Sequence, residues 1–311
     1  MIYTVTLNPA LDKTVEIPSF TPGCVNRITS VRTDPGGKGI NVSKGIQQLG
    51  GTGIACGILG GHTGEIIRAA LAEMGLETLF VFAEGETRTN LKISDPVSHE
   101  NTDINESGFA VPRGAADGLL RELTGRIMPG DLVVLSGSLP KGLPAETYAD
   151  WIRALKARGA KTFLDADGEA LVRGIDAAPY LIKPNHLELA GYVGRELPGI
   201  PERRAAAKEI LGRTGIRRVV VSMGSEGLLF VGREVCLYTE GLRVPVKSTV
   251  GAGDSTVAAL AWAEERGMSP EETVRLAAAA GAASVMCSGS QPPTMGQIRE
   301  LLPGVRVRRL M

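Results

Sequence analysis

A short run in the last quarter of the chain, Thr249-Val250-Gly251-Ala252-Gly253-Asp254, joins a glycine-rich turn to a carboxylate, and a helical pattern follows at once. Such a turn aims free backbone N–H groups at one point, and the positive end of the helix adds to their field. That arrangement suits charge developing on a transferring phosphoryl group. Asp254 then has two possible roles. It either caps the helix or takes the proton from an attacking hydroxyl. Neither GxxxxGK[ST] nor GxGxxG occurs in the chain, so this is not a Walker loop or a dinucleotide fingerprint.

Four further clusters carry groups of the same kind. Pro35-Gly36-Gly37-Lys38-Gly39-Ile40-Asn41 lets backbone approach a polar ligand closely, with a charge at Lys38 and an amide at Asn41. Its alternative reading is a tight turn before a helix over 42–49. In Lys183-Pro184-Asn185-His186-Leu187-Glu188, proline keeps Lys183 out of the helical region, and Asn185 and Glu188 share one helix face. That pair can hold a hydrated Mg²⁺ through its waters or close a capping box. Asn8-Pro9-Ala10-Leu11-Asp12 and Ser136-Gly137-Ser138 each leave an apolar strand, where open α/β sheets bind their ligands. An Asp at such a position can bridge two sugar hydroxyls.

The elements that must hold these clusters alternate. Strand patterns over 2–7, 132–135, 161–164, 180–182, 218–222 and 228–231 are interleaved with helical patterns over 63–74, 145–157, 201–211, 255–265 and 270–285. Continuous apolar strands between amphipathic helices predict an α/β chain with a mostly parallel sheet covered on both faces. Thr63 is the expected cap of its helix. Two segments break the rhythm, 13–33 and 87–105, where apolar and polar residues alternate. They predict a small β layer outside the main sheet, able to cover a site or to pair with a second copy through Val15, Ile17, Leu91 and Ile93.

Composition narrows the partners. The 311 residues carry 34 Lys plus Arg against 34 Asp plus Glu, so no global field draws the chain to nucleic acid or an anionic membrane. Any anion must be gripped locally. No apolar run approaches the length of a membrane span, and the amino terminus reads as a strand rather than a leader. Cys24, Cys56, Cys236 and Cys287 form no CxxC pair. A cytoplasmic protein is expected.

Taken together, TLNPALDKT, GGKGINVS, TRTNLKI, SGSLPKG, IKPNHLEL and STVGAGDS resemble, in order and separation, the PfkB (ribokinase-like) family of carbohydrate kinases, from Thr6 to about Gly289. The resemblance implies one kinase domain over 1–311. Its fold would be a three-layer α/β/α sandwich with a β-sheet lid, roughly 13–33 and 87–105, often clasped between two subunits as a homodimer. It implies ATP and Mg²⁺, with a monovalent cation as a further candidate. Asp254 resembles the catalytic base, and Gly251, Ala252 and Gly253 the anion hole. Asp12, Gly37, Asn41 and Ser136 match sugar-binding positions. Arg27, Lys38 and Arg88 match groups that meet a phosphate already on the sugar. Lys183, Asn185, Ser222, Gly224, Thr249, Ser288 and Gly289 match the surroundings of ATP, and Glu188 and Asn185 those of the metal, through water. Lys141 after SLP, Pro35 before GGKG and Asp103 in TDIN depart from common family choices without removing a catalytic group. The expected reaction is phosphorylation of a ketohexose phosphate. Fructose 1-phosphate comes first, with tagatose 6-phosphate and fructose 6-phosphate as alternatives. The rival from another class is a sugar-phosphate sensor that keeps the fold without catalysis.

Overall fold

Alternation along the first strand decides how the molecule is layered. In β1 (Ile2–Thr6), Tyr3 and Val5 point into one apolar core while Ile2 joins another on the opposite face. The same split recurs in β8 (Leu132–Ser136), where Val133 and Leu135 face one side and Leu132 and Val134 the other. A strand apolar on both faces must be covered twice, and that requirement produces three layers.

The computed structural model describes residues 1–310. After β1 come β2 (Ala10–Glu16), β3 (Ser30–Gly36), α1 (Lys38–Gln48), β4 (Gly53–Leu59), α2 (Gly61–Glu73), β5 (Glu77–Phe82), β6 (Arg88–Asp95), β7 (Glu100–Asn105) and α3 (Arg113–Arg126). Beyond β8 follow α4 (Thr147–Ala157), β9 (Lys161–Asp165), α5 (Gly168–Asp176), β10 (Leu181–Ile182), α6 (His186–Val193), α7 (Ile200–Arg213) and β11 (Arg218–Ser222). The last elements are β12 (Leu228–Gly232), β13 (Cys236–Thr239), α8 (Ala252–Glu265), α9 (Pro270–Ser284), α10 (Met295–Leu301) and β14 (Val307–Arg309).

Ten strands form the main sheet in the order β14-β13-β12-β11-β10-β9-β8-β1-β4-β5. From β11 to β5 every neighbouring pair is parallel, and β12 to β14 add an antiparallel flank. Residues of α3 to α7 pack on one face, and residues of α1, α8, α9 and α10 on the other. The chain leaves β1 towards β4 on one side and returns at β8 on the other. The β1–β8 boundary is therefore a switch point, the usual place for a ligand crevice. Among the described residues no helix is long and apolar enough to cross a membrane.

The second sheet, β3-β2-β6-β7, stands apart from the first. It begins at Ala10 and reaches Gly36, so it extends beyond the expected 13–33 and takes in Asp12. Its faces differ in chemistry. Register puts Asp12, Arg32, Asp34, Arg88, Asn90 and Lys92 on one side and Val15, Leu91, Ile93, Val31 and Ile104 on the other.

Several helix starts differ from the sequence pattern for nonlocal reasons. α2 is not capped by Thr63. The Glu86 carboxylate accepts from the backbone of His62 and Thr63 instead, and the helix begins at Gly61. α1 begins at Lys38, four residues before the apolar repeat, because Thr6 Oγ1 accepts the Ile40 N–H at 2.9 Å. α8 begins at Ala252 rather than Ser255, because Gly251 turns the chain at φ 83°.

Candidate active site

The carboxyl ends of β1, β8, β9, β10 and β11 lie on one edge of the main sheet. They deliver Asn8, Ser136, Asp165, Lys183 and Ser222 to a common front. α1 and α8 meet this edge with their amino ends. Asp254 sits in the first turn of α8 and makes no cap; Gly251 occupies the cap position. Its carboxylate is 7 % exposed and accepts a 2.8 Å hydrogen bond from Asn41 Nδ2 on α1. Burial, then the nearby Asp165 charge, push the Asp254 carboxyl up to about 6, while Asn41, Lys38 and Lys183 pull it down. A carboxyl tuned towards neutrality is suited to proton transfer.

Asp165 was not among the residues singled out from sequence, and it organises the cationic side of the site. It is buried, with Lys183 Nζ at 3.3 Å and Lys38 Nζ at 3.9 Å from its Oδ1. The Asp165 charge holds the Lys38 ammonium above its ordinary range against the opposing effect of burial. Lys183 Nζ also lies 3.6 Å from where a Cβ on Gly253 would stand, so this ammonium reaches the glycine turn. Lys38 thus belongs with Lys183 and Asp165, beside Asp254.

The glycines of the second cluster fit their close approach. A Cβ on Gly39 would fall 2.5 Å from both Thr6 Oγ1 and the Val5 carbonyl oxygen, so no other residue fits there. Gly37 has φ 108°. Behind this turn the buried Lys44 Nζ donates to the Pro35 carbonyl at 2.8 Å, and burial lowers its pKa.

Asp12 lies on the polar face of the small sheet. Asn90 Nδ2 donates to its Oδ1 at 3.0 Å, while Ser290 Oγ donates to Oδ2 at 3.2 Å and Lys92 Nζ lies 3.4 Å from the same oxygen. Arg32 Nη2 donates to the Ser288 carbonyl at 3.2 Å, a second tie between this sheet and the body of the molecule. Arg88 spans the junction, donating to the carbonyls of Glu106 and Asn8 at 2.9 and 3.0 Å; burial lowers its pKa. Arg27 stands apart in an exposed loop, and no ion pair holds it among the described residues.

On the other flank, Asn185 and Ser222 are bridged across two chain segments, and Gly224 opens a short 3-10 turn. Asn185 and Glu188 form a complete capping box. Asn185 Oδ1 accepts from the backbone of Leu187 and Glu188, and Glu188 Oε2 accepts from Asn185 N. The box engages Glu188 Oε2 and leaves Oε1 outside it. No group of three or more His, Cys, Asp or Glu poised for a metal exists among the described residues. Thr249 and Ser288 are exposed at the rim, with Gly289 beside Arg32. Asn41 Oδ1 and Ser136 Oγ are buried without hydrogen-bond partners. Such atoms are costly unless a ligand completes them.

Residues 5–295 match the family described as pfkB family carbohydrate kinase. The chain is 36% identical over 310 residues to a 1-phosphofructokinase of Bacillus subtilis, with both chains covered completely. It superposes on phosphofructokinase-2 from Escherichia coli solved with potassium, with a TM-score of 0.93, 36% identity and coverage of 97% and 98% of the two chains. The tetrameric inhibited form of that Escherichia coli protein gives a TM-score of 0.91 at 35% identity, with the same coverage.

Proposed function

The chain belongs to the pfkB family of carbohydrate kinases, and we propose that it transfers the γ-phosphoryl group of ATP to the 6-hydroxyl of fructose 1-phosphate, giving fructose 1,6-bisphosphate. The observation that carries the chemistry is Asp254. It is buried, raised to about 6, and set beside the Gly251–Gly253 turn with two ammonium groups in reach. A cap would need no such surroundings, and a sensor would gain nothing from them. The choice of sugar follows the full-length 1-phosphofructokinase relative. The likeness to phosphofructokinase-2 makes fructose 6-phosphate the second reading.

In this reading Asp254 takes the proton of the attacking hydroxyl as its oxygen bonds to the γ-phosphorus and the bond to the ADP oxygen breaks. Backbone N–H groups of Gly251, Ala252 and Gly253 receive the phosphoryl oxygens at the start of α8. Lys183 and Lys38 balance the charge. Asp12 and Asn41 hold sugar hydroxyls, and Ser136 Oγ completes that side. Ser222, Gly224, Thr249, Ser288 and Gly289 border the nucleotide. Glu188, with Asn185 beside it, would hold Mg²⁺ through water, and the ion would supply positive charge against the phosphates. The potassium in the Escherichia coli neighbour makes a monovalent cation a candidate activator. The small sheet acts as a lid that excludes water.

The same sheet supports a homodimer. Val15, Ile17 and Ile93, expected to await a partner, are already buried within the chain against Phe20 and Leu91. The unburied part of that apolar face is its flanks, Val31 at 54% and Ile104 at 51% exposure.

Coupled assay of ADP release across fructose 1-phosphate, fructose 6-phosphate, tagatose 6-phosphate and free fructose tests this reading. The highest kcat/KM should belong to fructose 1-phosphate. Preference for another phosphate ester moves the substrate assignment, and no ADP release with any of them overturns the kinase reading.

A further inference from the structure

The lid carries a largely covered ammonium, that of Lys92, inside the TRTNLKI segment. Arg88, Asn90 and Lys92 alternate along β6, so all three point from one face towards Asp12. Their donors are not equally free. Both terminal nitrogens of Arg88 donate to backbone carbonyls, leaving only its buried Nε without a partner, and Asn90 Nδ2 is bonded to Asp12. Lys92 has a side chain only 11 % exposed, and its one polar contact is Asp12 Oδ2 at 3.4 Å. An ammonium has three protons to donate, so two are unmatched and the third is poorly matched. Asp12 Oδ2 is shared with Ser290 and Oδ1 faces Asn90, so Asp12 meets Lys92 through one oxygen only. Asp103 stands opposite Lys92 in register but is exposed, and no ion pair joins the two among the described residues. A largely covered ammonium whose ion pair with Asp12 is long and single has donors to spare for a second anion.

We propose that Lys92 grips the phosphate that the sugar already bears, and so selects a phosphorylated over a free ketose while Asp12 beside it orients the sugar hydroxyls. This rests on the reading of the acceptor as a ketohexose phosphate. Arg88, with its terminal nitrogens committed to Asn8 and Glu106, holds the lid against the end of β1 and has only Nε left to meet the same phosphate.

Steady-state kinetics of Lys92→Met and Lys92→Arg, with fructose 1-phosphate, free fructose and ATP varied in turn, test the inference. For Lys92→Met, KM for fructose 1-phosphate should rise about 10- to 100-fold, the loss of one charged hydrogen bond. KM for ATP should stay within about twofold, since nothing in this role touches the nucleotide. Preference for fructose 1-phosphate over free fructose should fall by the same factor, and Lys92→Arg should restore part of it. Two outcomes overturn the inference: an unchanged KM for fructose 1-phosphate, or an equal loss with both sugars, which would mean that Lys92 acts only through Asp12. The unmodified enzyme, run beside the variants, keeps the two readings separate. If it shows no preference for a phosphorylated sugar, the substrate reading fails whatever Lys92 does.

Discussion

Asn41 Nδ2 donates to Asp254 Oδ2 across 2.8 Å, joining the first turns of α1 and α8 although 213 residues separate them. The bond fixes one carboxylate oxygen; in the proposed transfer Oδ1 is the atom left to meet the acceptor hydroxyl. It also opposes the upward push of burial on the Asp254 carboxyl, so the same contact orients and tunes this carboxylate. Asn41 Oδ1, on the other side of the amide, is buried without a hydrogen-bond partner among the described residues.

Asp254→Asn keeps the shape and removes the base. We expect kcat to fall by roughly 10²–10⁴. Stability should move in the opposite direction. The folded carboxyl holds its proton more tightly than the unfolded one, so folding is favoured at low pH and loses stability as pH rises from about 4 through 6. At pH 8 the variant should be as stable as the parent, or more stable by up to about 3 kcal/mol. A variant with near-normal kcat, or one markedly less stable at pH 8, contradicts this role; calorimetry and ADP release measure both.

Asp165→Asn addresses the second influence on the base. The Asp165 charge raises the Asp254 carboxyl and occupies Lys38 and Lys183. Without it the lysines act on Asp254 alone, and its pKa should fall. Loss of kcat/KM on acidification should centre near pH 6 in the parent and move to lower pH in the variant. The sugar phosphate also titrates near pH 6, but the substrate is the same in both profiles, so only the enzyme can shift the limb. An unshifted limb removes Asp165 from the tuning.

The repeating strands and helices were legible because burial on two faces leaves continuous apolar strands between amphipathic helices. Helix starts were less so. The start of α2 is fixed by Glu86, some two dozen residues later, and that of α1 by Thr6 from another strand. The motif residues pointed to the site, but Asp165, Lys92 and Ser290 did not announce themselves. Asp165 ends an ordinary strand, KTFLD, and gains its meaning from Lys38 and Lys183, distant in sequence. Lys92 had a readable signal: it lies four residues after Arg88, on the same strand face. Asn185-x-x-Glu188 satisfies the capping box fully, the helical alternative that the sequence offers beside a metal contact.

Arg88→Ala should loosen the junction between lid and body. Two backbone carbonyls, of Glu106 and Asn8, lose their donors. KM for the phosphosugar should rise by the equivalent of about 1.5–3 kcal/mol, with little change for ATP. Because the guanidinium bridges two carbonyls at once, Arg88→Lys should recover only a small part. An unchanged phosphosugar KM in Arg88→Ala would show that the lid closes without this bridge.

The last expectation concerns assembly. Strand register puts Val31 and Ile104 on the apolar face of the small sheet, on either side of the buried Val15 and Ile93. Both are about half exposed, and Val25 and Ile28 in the adjoining loop are also open to solvent, at 84% and 50%. A face with a buried centre and exposed apolar flanks is covered well by a second copy laid across it. Light scattering should therefore give about twice the 32.7 kDa of one chain. Val31→Lys with Ile104→Lys puts two ammonium groups on the face and should shift the mass towards that of one chain, since a charge facing an apolar partner is left unpaired. Both positions point away from Asp12 and Lys92, so a dissociated variant should lose activity only to the extent that the partner steadies the lid. A parent protein that is monomeric and fully active at working concentration, or a double variant that stays dimeric, would remove this face from the interface.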